Sequence, residues 1–452
     1  MQALAKKLKA LRIGDVAVRR NPVFYESMRA QLHALENADL DVRREWSRSR
    51  LRETLSFAAR SAYGRRVGGS GQLESWPPLQ KSTVREDPAA FVSGSRLLAA
   101  RASTGGTTGM PLQLTRSLRS IVFEQACIDE MIRRLGADPH HARIAVLRGD
   151  NIKDPSDFTP PYWRAAAGGQ RLVFSSNHLN AKTVSAYAQA LEEFRPDVLW
   201  AYPTALEALC VALRRTQREL RIARVLTSSE MMHPNLWQLA ESTLQCRMLD
   251  YYGQAERVAF AYATRAQEYR FLPGYAHVEL QPVAAEAGHV DYEIVGTALW
   301  NSAMPLPRYR TGDLLRLPAS WGAAQLEEVT LGTRAFAGVL GRDNDILISP
   351  DGVRLTGIDH FQRDVSHVLR IQVIQEATDR VRILVLADAG YDSQDADRLM
   401  SNVRGKLPDS IHVSIERSEA LERSALGKIP FVIHRPQVRE LLSRARDAGM
   451  DA

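Results

Sequence analysis

Residues 102–112 read Ala102-Ser103-Thr104-Gly105-Gly106-Thr107-Thr108-Gly109-Met110-Pro111-Leu112. Within Ser103–Gly109, three glycines and four hydroxyl side chains fill seven positions. Glycines let backbone N–H groups approach an anion with no Cβ in the way, and Ser and Thr hydroxyls add directional donors. The apolar run Leu97-Leu98-Ala99-Ala100 precedes the loop and Pro111 closes it. Two readings fit it alone: a loop wrapped around the phosphates of a nucleotide, or a flexible turn after a strand. The surrounding chain decides between them.

The chain has 452 residues, 45% hydrophobic and 25% charged, which suits two or three globular units with full cores. No segment approaches the roughly 20 uninterrupted apolar residues of a transmembrane helix. The start, Met1-Gln2-Ala3-Leu4-Ala5-Lys6-Lys7-Leu8-Lys9, is basic but lacks the apolar core of a secretory signal. Three widely spaced cysteines, Cys127, Cys210 and Cys246, argue against a disulfide framework or a zinc site and fit a reducing cytoplasm. The net charge of +7 is dispersed in pieces such as Arg43-Arg44 and Arg214-Arg215. Scattered arginine of this kind reads as solvated helix faces rather than a nucleic-acid groove. It suits an anionic ligand, and also weak peripheral attraction to an acidic membrane surface.

Residues 1–62 read as a helical segment packed on the main domain, with Leu32, Leu35, Leu40, Val42, Trp46, Leu51, Leu55 and Phe57 at helical spacing. Trp76-Pro77-Pro78-Leu79 breaks it. From Phe91 to about Arg334, β-rich runs (Ile144–Leu147, Val198–Ala201, Val225–Thr227, Met248–Tyr251, Val290–Val295) alternate with helical stretches such as Val184–Phe194 and Leu206–Arg214. That alternation predicts α/β layering. Past Gly338–Asn344 the pattern predicts a small α+β unit. It has runs at Ile371–Ile374, Val381–Leu386 and Ile411–Ile415, and helices near Asp395–Lys406 and Pro436–Ala448. The expected domains are 1–62, a core over 63–343 and a mobile C-terminal domain over 344–452.

Five further segments follow the glycine loop in order: Thr227-Ser228-Ser229-Glu230; Asp250-Tyr251-Tyr252-Gly253-Gln254-Ala255-Glu256; Met304-Pro305-Leu306-Pro307-Arg308-Tyr309-Arg310-Thr311-Gly312-Asp313; Gly341-Arg342-Asp343-Asn344-Asp345; and Leu426-Gly427-Lys428-Ile429-Pro430. Together they resemble the adenylate-forming superfamily of acyl-CoA synthetases, peptide-synthetase adenylation domains and luciferases. Ala142–Asp150, Phe174–Leu179, Phe194-Arg195-Pro196 and Ala201–Thr204 narrow the likeness to the phenylacetate-CoA ligase branch and its CapK-like members, which accompany capsular or exopolysaccharide genes.

The resemblance implies an α/β fold, a large adenylate-forming domain and a small mobile one. It also implies an ATP- and Mg²⁺-dependent ligase that turns a carboxylic acid, aryl or acyl, into its adenylate. A carboxylate is a poor acyl donor, and the mixed anhydride with AMP makes its carbonyl reactive. Two anions must then be held at attack distance, which calls for positive charge and oriented dipoles.

By resemblance Ser103, Thr104, Gly105, Gly106, Thr107, Thr108 and Gly109 hold phosphates, and Asp313 accepts from the ribose hydroxyls. Tyr251, Tyr252, Gly253, Ser229 and Glu230 line the adenine end, and Arg342 reaches ribose or phosphate. Glu256 brings Mg²⁺, whose preference for few carboxylates and retained water suits one glutamate. Lys428 supplies a point charge between carboxylate and α-phosphate, and turning the C-terminal unit about Asn344 exchanges it for the second substrate. His178, Tyr202, Pro203 and Met304 are candidate acyl contacts, with Trp163, Phe174 and Trp200 nearby; each residue taken alone reads equally as core.

Three departures stand out. Met110 replaces a phosphate-loop lysine, Ala255 a hydroxyl residue and Asn344 an acidic hinge residue. The acceptor is CoA by the nearest likeness, or an amine, an alcohol or a carrier-protein thiol. A nucleotide- or acyl-binding scaffold that has lost activity is the reading from another class.

Overall fold

The fold is that of a computed structural model, which describes residues 15–93, 99–103, 112–148, 152–153, 157–176, 178–286, 288–342, 347–350, 354–355, 358–362, 365–423 and 429–447. The chain divides into two units, Met1–Val339 and Leu340–Ala452.

In the larger unit two helices, Tyr25–Glu36 and Leu40–Ala58, come first. Tyr25, Met28, Leu32 and Leu35 recur every three or four residues and are buried. Asp39 starts the second helix by accepting from Val42 N at 2.9 Å. That register departs from the stripe read in the sequence: Val42 is 52% exposed, and Arg43 turns inward at 8%. The Arg43 guanidinium donates to the carbonyls of Ala38, Leu331 and Glu36 at 3.1, 2.9 and 2.7 Å. It satisfies helix-end acceptors that an apolar side chain would strand. Arg20 is joined to Asp129 of helix Leu118–Arg134 by two hydrogen bonds of 2.6 and 2.7 Å. Tyr25 Oη (2.6 Å) and Gln125 Nε2 (2.8 Å) complete the shell of that fully enclosed carboxylate.

Strands β1 (Ala99–Ser103) and β2 (Gln113–Ser117) form an antiparallel pair with Ser103 opposite Gln113. Strands β3 (Ile144–Leu147), β4 (Trp163–Ala166), β5 (Arg171–Phe174), β6 (Val198–Ala201), β7 (Arg224–Ser228), β8 (Arg247–Gly253), β9 (Phe260–Ala263) and β10 (Arg270–Phe271) build one sheet in the order β10-β9-β8-β7-β6-β3-β5-β4. The run β5-β3-β6-β7-β8 is parallel. Helices Val184–Phe194, Pro203–Arg215 and Pro234–Leu244 lie in its crossovers. The inner strands are short and apolar because both faces are covered: every residue of β6 is buried.

The alternation expected out to Arg334 stops at β10. Strands β11 (Ala276–Glu286), β12 (His289–Ala298) and β13 (Tyr309–Pro318) run antiparallel with no helix between them. Cross-strand ion pairs, Arg316–Asp291 at 2.6 Å and Arg310–Glu293 at 2.7 Å, put charge on positions that are nonetheless buried on their acidic side. Gly296 of β12 is where this layer meets the Val258 backbone: a Cβ there would lie 2.0 Å from Val258 O.

Strand β14 (Val339–Arg342) carries the chain across the division. The smaller unit contains β15 (Leu347–Ile348), β16 (Arg354–Leu355), β17 (Val368–Ala377), β18 (Arg380–Ala387), β19 (His412–Arg417) and β20 (Val432–His434). Its main sheet has the order β19-β18-β17-β20, with helix Ser393–Arg404 between β18 and β19 and helix Pro436–Asp447 last.

Candidate active site

Strands β3, β6, β7 and β8 are parallel and paired in register: Leu147 faces Ala201, Ala201 faces Thr227 and Ser228 faces Tyr251. Their C-terminal ends therefore open on one edge, where ligands of open α/β sheets bind. Arg148, Tyr202, Ser229 and Glu230 follow those ends directly, and Tyr252-Gly253 close β8.

Tyr252 Oη donates to Asp313 Oδ2 at 2.7 Å and accepts from Gln254 Nε2 at 3.2 Å. Two of the sequence-read residues thus meet, although 61 positions separate them. The motif around Asp313 explains its aim. Gly312 has φ +70°, a left-handed conformation that a side chain strains. Gly312 N donates to Glu293 Oε1 at 3.0 Å, and Arg310 holds the other oxygen of that glutamate at 2.7 Å. Thr311 Oγ1 donates to Ile294 O at 2.7 Å and accepts from Asp313 N at 3.0 Å. Asp313 is left 6% exposed at the rim.

Glu256 is also buried, and its Oε1 accepts from Tyr309 Oη at 2.8 Å and from Lys81 Nζ at 3.1 Å. Burial alone would raise its pKa. The Lys81 charge and the hydrogen bonds from Tyr309 and Lys81 outweigh it, so the carboxyl lies below its ordinary 4.5. Lys81 arrives by a backbone bridge: Leu79 N donates to Arg308 O at 2.8 Å and Arg310 N to Leu79 O at 2.9 Å. The loop from Gly253 to Glu256 is held by Arg116, whose Nη2 donates to Ala255 O at 2.7 Å. Arg257, at φ +59°, donates to Ser120 O at 2.7 Å and closes the same loop.

Asp250 lies deeper. It accepts from Thr227 Oγ1 at 2.6 Å and Tyr269 Oη at 2.5 Å, and burial, against those two hydrogen bonds, pushes its pKa up to about 6. Tyr251 is stacked on Phe260 with ring centroids 5.0 Å apart, and burial raises its pKa. Ser229 is exposed at φ +72°. Glu230 Oε2 accepts from Thr204 N at 3.0 Å, capping the helix that opens at Pro203, while Oε1 is buried with no partner among the described residues.

The four acyl candidates are distributed unevenly. Tyr202 stands at the sheet edge beside Arg148. Pro203 is the buried first residue of its helix. Met304 is buried at 1%, with Sδ accepting from Thr115 N at 3.3 Å. His178 is fully enclosed: Nδ1 lies 2.7 Å from Ser175 Oγ, and the ring stacks on Tyr162 at 5.7 Å. Tyr162, Tyr187, Phe174 and Trp163 continue that aromatic cluster.

Ser103 ends β1 exposed. Thr104, Gly105, Gly106, Thr107, Thr108 and Gly109, with Met110, lie outside the described residues, as do Asn344 and Lys428. Arg342 is described as backbone in β14 only. The neighbours of Lys428 are anchored: Gln372 Nε2 donates to Glu422 O and Pro430 O, each at 2.9 Å, and Gln372 Oε1 accepts from Glu422 N at 2.8 Å.

Two residues of this site escaped the sequence reading. Tyr309 sat inside a quoted motif without a role. Lys81 follows the Pro-rich break with no local pattern around it; only its contact with Glu256, 175 positions away, picks it out.

The family model described as AMP-binding enzyme matches residues 98–283, and that described as CapK C-terminal domain matches 347–435. The chain belongs to the adenylate-forming enzymes. This adenylate-forming ligase is 20% identical to Protein CapK of Staphylococcus aureus over 370 residues, covering 79% of this chain and 77% of that one. It is 23% identical to a phenylacetate-coenzyme A ligase of Pseudomonas putida over 381 residues, covering 78% and 82%. In fold it is similar to the crystal structure of 2-hydroxyisobutyryl-CoA ligase in the postadenylation state, with a TM-score of 0.59, 14% identity and 89% of this chain covered against 91% of that one. The adenylate-forming assignment implies ATP as a substrate. Among the described residues no helix is long and apolar enough to cross a membrane.

Proposed function

We propose that this adenylate-forming ligase uses ATP with Mg²⁺ to activate an aryl or acyl carboxylic acid, and that CoA then takes the acyl group. One observation supports the site assignment above the rest: Asp313–Tyr252 and Glu256–Tyr309–Lys81, two carboxylates held by phenol hydroxyls and a cation, are brought together from β8, the loop after it, β13 and the start of the helix Lys81–Glu86. A carboxylate accepts hydrogen bonds at both oxygens, which suits Asp313 to the vicinal hydroxyls of a ribose. Among the described residues no three His, Cys, Asp or Glu side chains converge on a metal position. A single carboxylate fits Mg²⁺, which keeps its waters and takes phosphate oxygens rather than a protein cage. When bound, that ion would supply positive charge to the leaving pyrophosphate.

The remaining work falls to the chain. Lys81 keeps Glu256 ionised, and Tyr309 fixes its orientation. Lys428 provides the cation shared by the reacting carboxylate and the α-phosphate, while Arg342 and the phosphate-loop N–H groups and hydroxyls hold the nucleotide where Met110 brings no charge. The Pseudomonas putida relative bears the name of a CoA ligase, which supports CoA over an amine, an alcohol or a carrier thiol as acceptor.

The test is carboxylate-dependent exchange of pyrophosphate into ATP over aryl and fatty acids, followed by thioester formation with CoA. Lys428→Ala should lower exchange by about 100–1,000-fold, the scale of losing one transition-state electrostatic contact. Near-normal exchange in that variant, or no exchange with any acid while ATP still binds, would overturn the proposal.

A further inference from the structure

Arg148 directly follows β3 at the open edge of the parallel sheet and is half-buried. Its guanidinium carbon lies 4.4 Å from the ring centre of Trp200 and 5.3 Å from that of Tyr202. The indole is fixed by Trp200 Nε1 donating to Ser228 Oγ at 3.3 Å, and the Tyr202 backbone by its N donating to Leu147 O at 2.9 Å. Tyr251 stands behind, its ring centre 6.3 Å from that of Trp200. A cation is thus laid on aromatic faces at the ends of β3 and β6, on the sheet edge where β8 carries Tyr252.

Among the described residues Arg148 has no acceptor. Its Nε is buried without a hydrogen-bond partner, and it joins no ion pair among the described residues. Glu230, at the same edge, gives one oxygen to Thr204 N and forms no ion pair with Arg148. A guanidinium cannot shed its proton to escape burial. Stacking occupies its faces and leaves the N–H edge, the edge that meets a carboxylate with two parallel hydrogen bonds. An arginine half out of water with an unused fork is arranged for an anionic oxygen group that comes with a ligand.

We propose that Arg148, with Trp200 and Tyr202, forms a specificity subsite in the acyl pocket. The acid activated there carries a second anionic oxygen group, a carboxylate or its equivalent, away from the carboxylate that reacts. This rests on the adenylation reading above. The aromatic rings take the apolar body between the two anionic ends.

Matched acids test it: phenylacetate against 4-carboxyphenylacetate, and hexanoate against adipate. Binding is followed by quenching of tryptophan fluorescence, with Trp200→Phe identifying the responding indole, and turnover by pyrophosphate exchange. The wild-type protein should bind at least one diacid about tenfold tighter than its monoacid, the scale of one charged hydrogen bond. Arg148→Met should weaken the diacid by about 10–100-fold through KM and leave the monoacid within about twofold. Arg148→Lys, which keeps the charge and loses the fork, should fall between and also controls for folding.

Equal weakening of both acids in Arg148→Met, or no diacid preference in the wild type, overturns the subsite. No exchange with any acid, while fluorescence still separates the pairs through Arg148, overturns the adenylation reading and leaves the subsite standing.

Discussion

Replacing Lys81 by methionine isolates the charge that keeps Glu256 ionised. The substitution keeps most of the stem and deletes the 3.1 Å ion pair, leaving the buried carboxylate with the Tyr309 hydroxyl. A charge-assisted hydrogen bond contributes about 1.5–3 kcal/mol. The lysine side chain is 34% exposed, so water screens part of this, and the expected loss at neutral pH is about 1–2 kcal/mol. The pH dependence gives the sharper signature. A carboxyl whose folded pKa lies below its unfolded value contributes stability above that unfolded value, and the contribution disappears as pH falls through the folded pKa. In the wild type that loss occurs below 4.5. Without Lys81, burial prevails and the folded pKa rises above the unfolded value, so the contribution changes sign: the deficit of Lys81→Met against the wild type is largest near neutral pH and shrinks as pH falls below 4.5, which flattens the acid limb of the variant. All seven tryptophans lie before Val339, so intrinsic fluorescence during urea unfolding reports on the larger unit. Superimposable acid limbs for wild type and Lys81→Met would refute the claim that Lys81 sets the Glu256 charge.

Three other outcomes follow from the geometry. Tyr252→Phe deletes the 2.7 Å donor to Asp313; KM for ATP should rise about tenfold, the worth of roughly one hydrogen bond, with kcat little changed in exchange assays. Gly312→Ala meets no neighbouring atom but forces a side chain to φ +70°. It should cost about 1–2 kcal/mol in urea unfolding and weaken ATP binding by re-aiming Asp313. For Asp250, a folded pKa of about 6 against an ordinary 3.8 means that stability declines as pH rises through that window and levels off above it. Asp250→Asn should remove that decline, so its melting temperature gains on the wild type between pH 4 and pH 7; parallel profiles would refute the assignment.

Much of this was legible in the sequence because it is local. The inner strands β3, β6, β7 and β8 are short apolar runs between amphipathic helices, a pattern set by burial on both faces. Asp313, Tyr252 and Glu256 sit inside compact motifs whose glycine, threonine and arginine residues each serve their geometry. The rest depends on partners far along the chain. Strands β11 to β13 hide their alternation because Asp291 and Glu293 are buried yet charged, matched by Arg316 and Arg310 on the neighbouring strand. Val42 looked like core and Arg43 like surface until the Asp39 cap fixed the helix register. Lys81 has nothing near it in sequence that marks it, and Arg148 gains meaning only once Trp200 and Tyr202 flank it.

The bridge at Leu79 also constrains how the protein is made. Trp76, Leu79 and Lys81 find their partners at Arg308–Arg310 and Glu256, and the Arg308 hydrogen bond to Trp76 O spans 232 positions. At about 5–20 residues per second, the ribosome needs roughly 10–50 s to supply that stretch. Throughout it, the edge at Leu79 and the backbone carbonyl of Trp76 are without their native partners. Nascent chains stalled before Arg308 should therefore be cut by protease around residues 76–81, and chains stalled well past Pro318 should be protected there. Tyr309 and Asp313 reach Glu256 and Tyr252 only after that same interval, so the bridge and the candidate site close together.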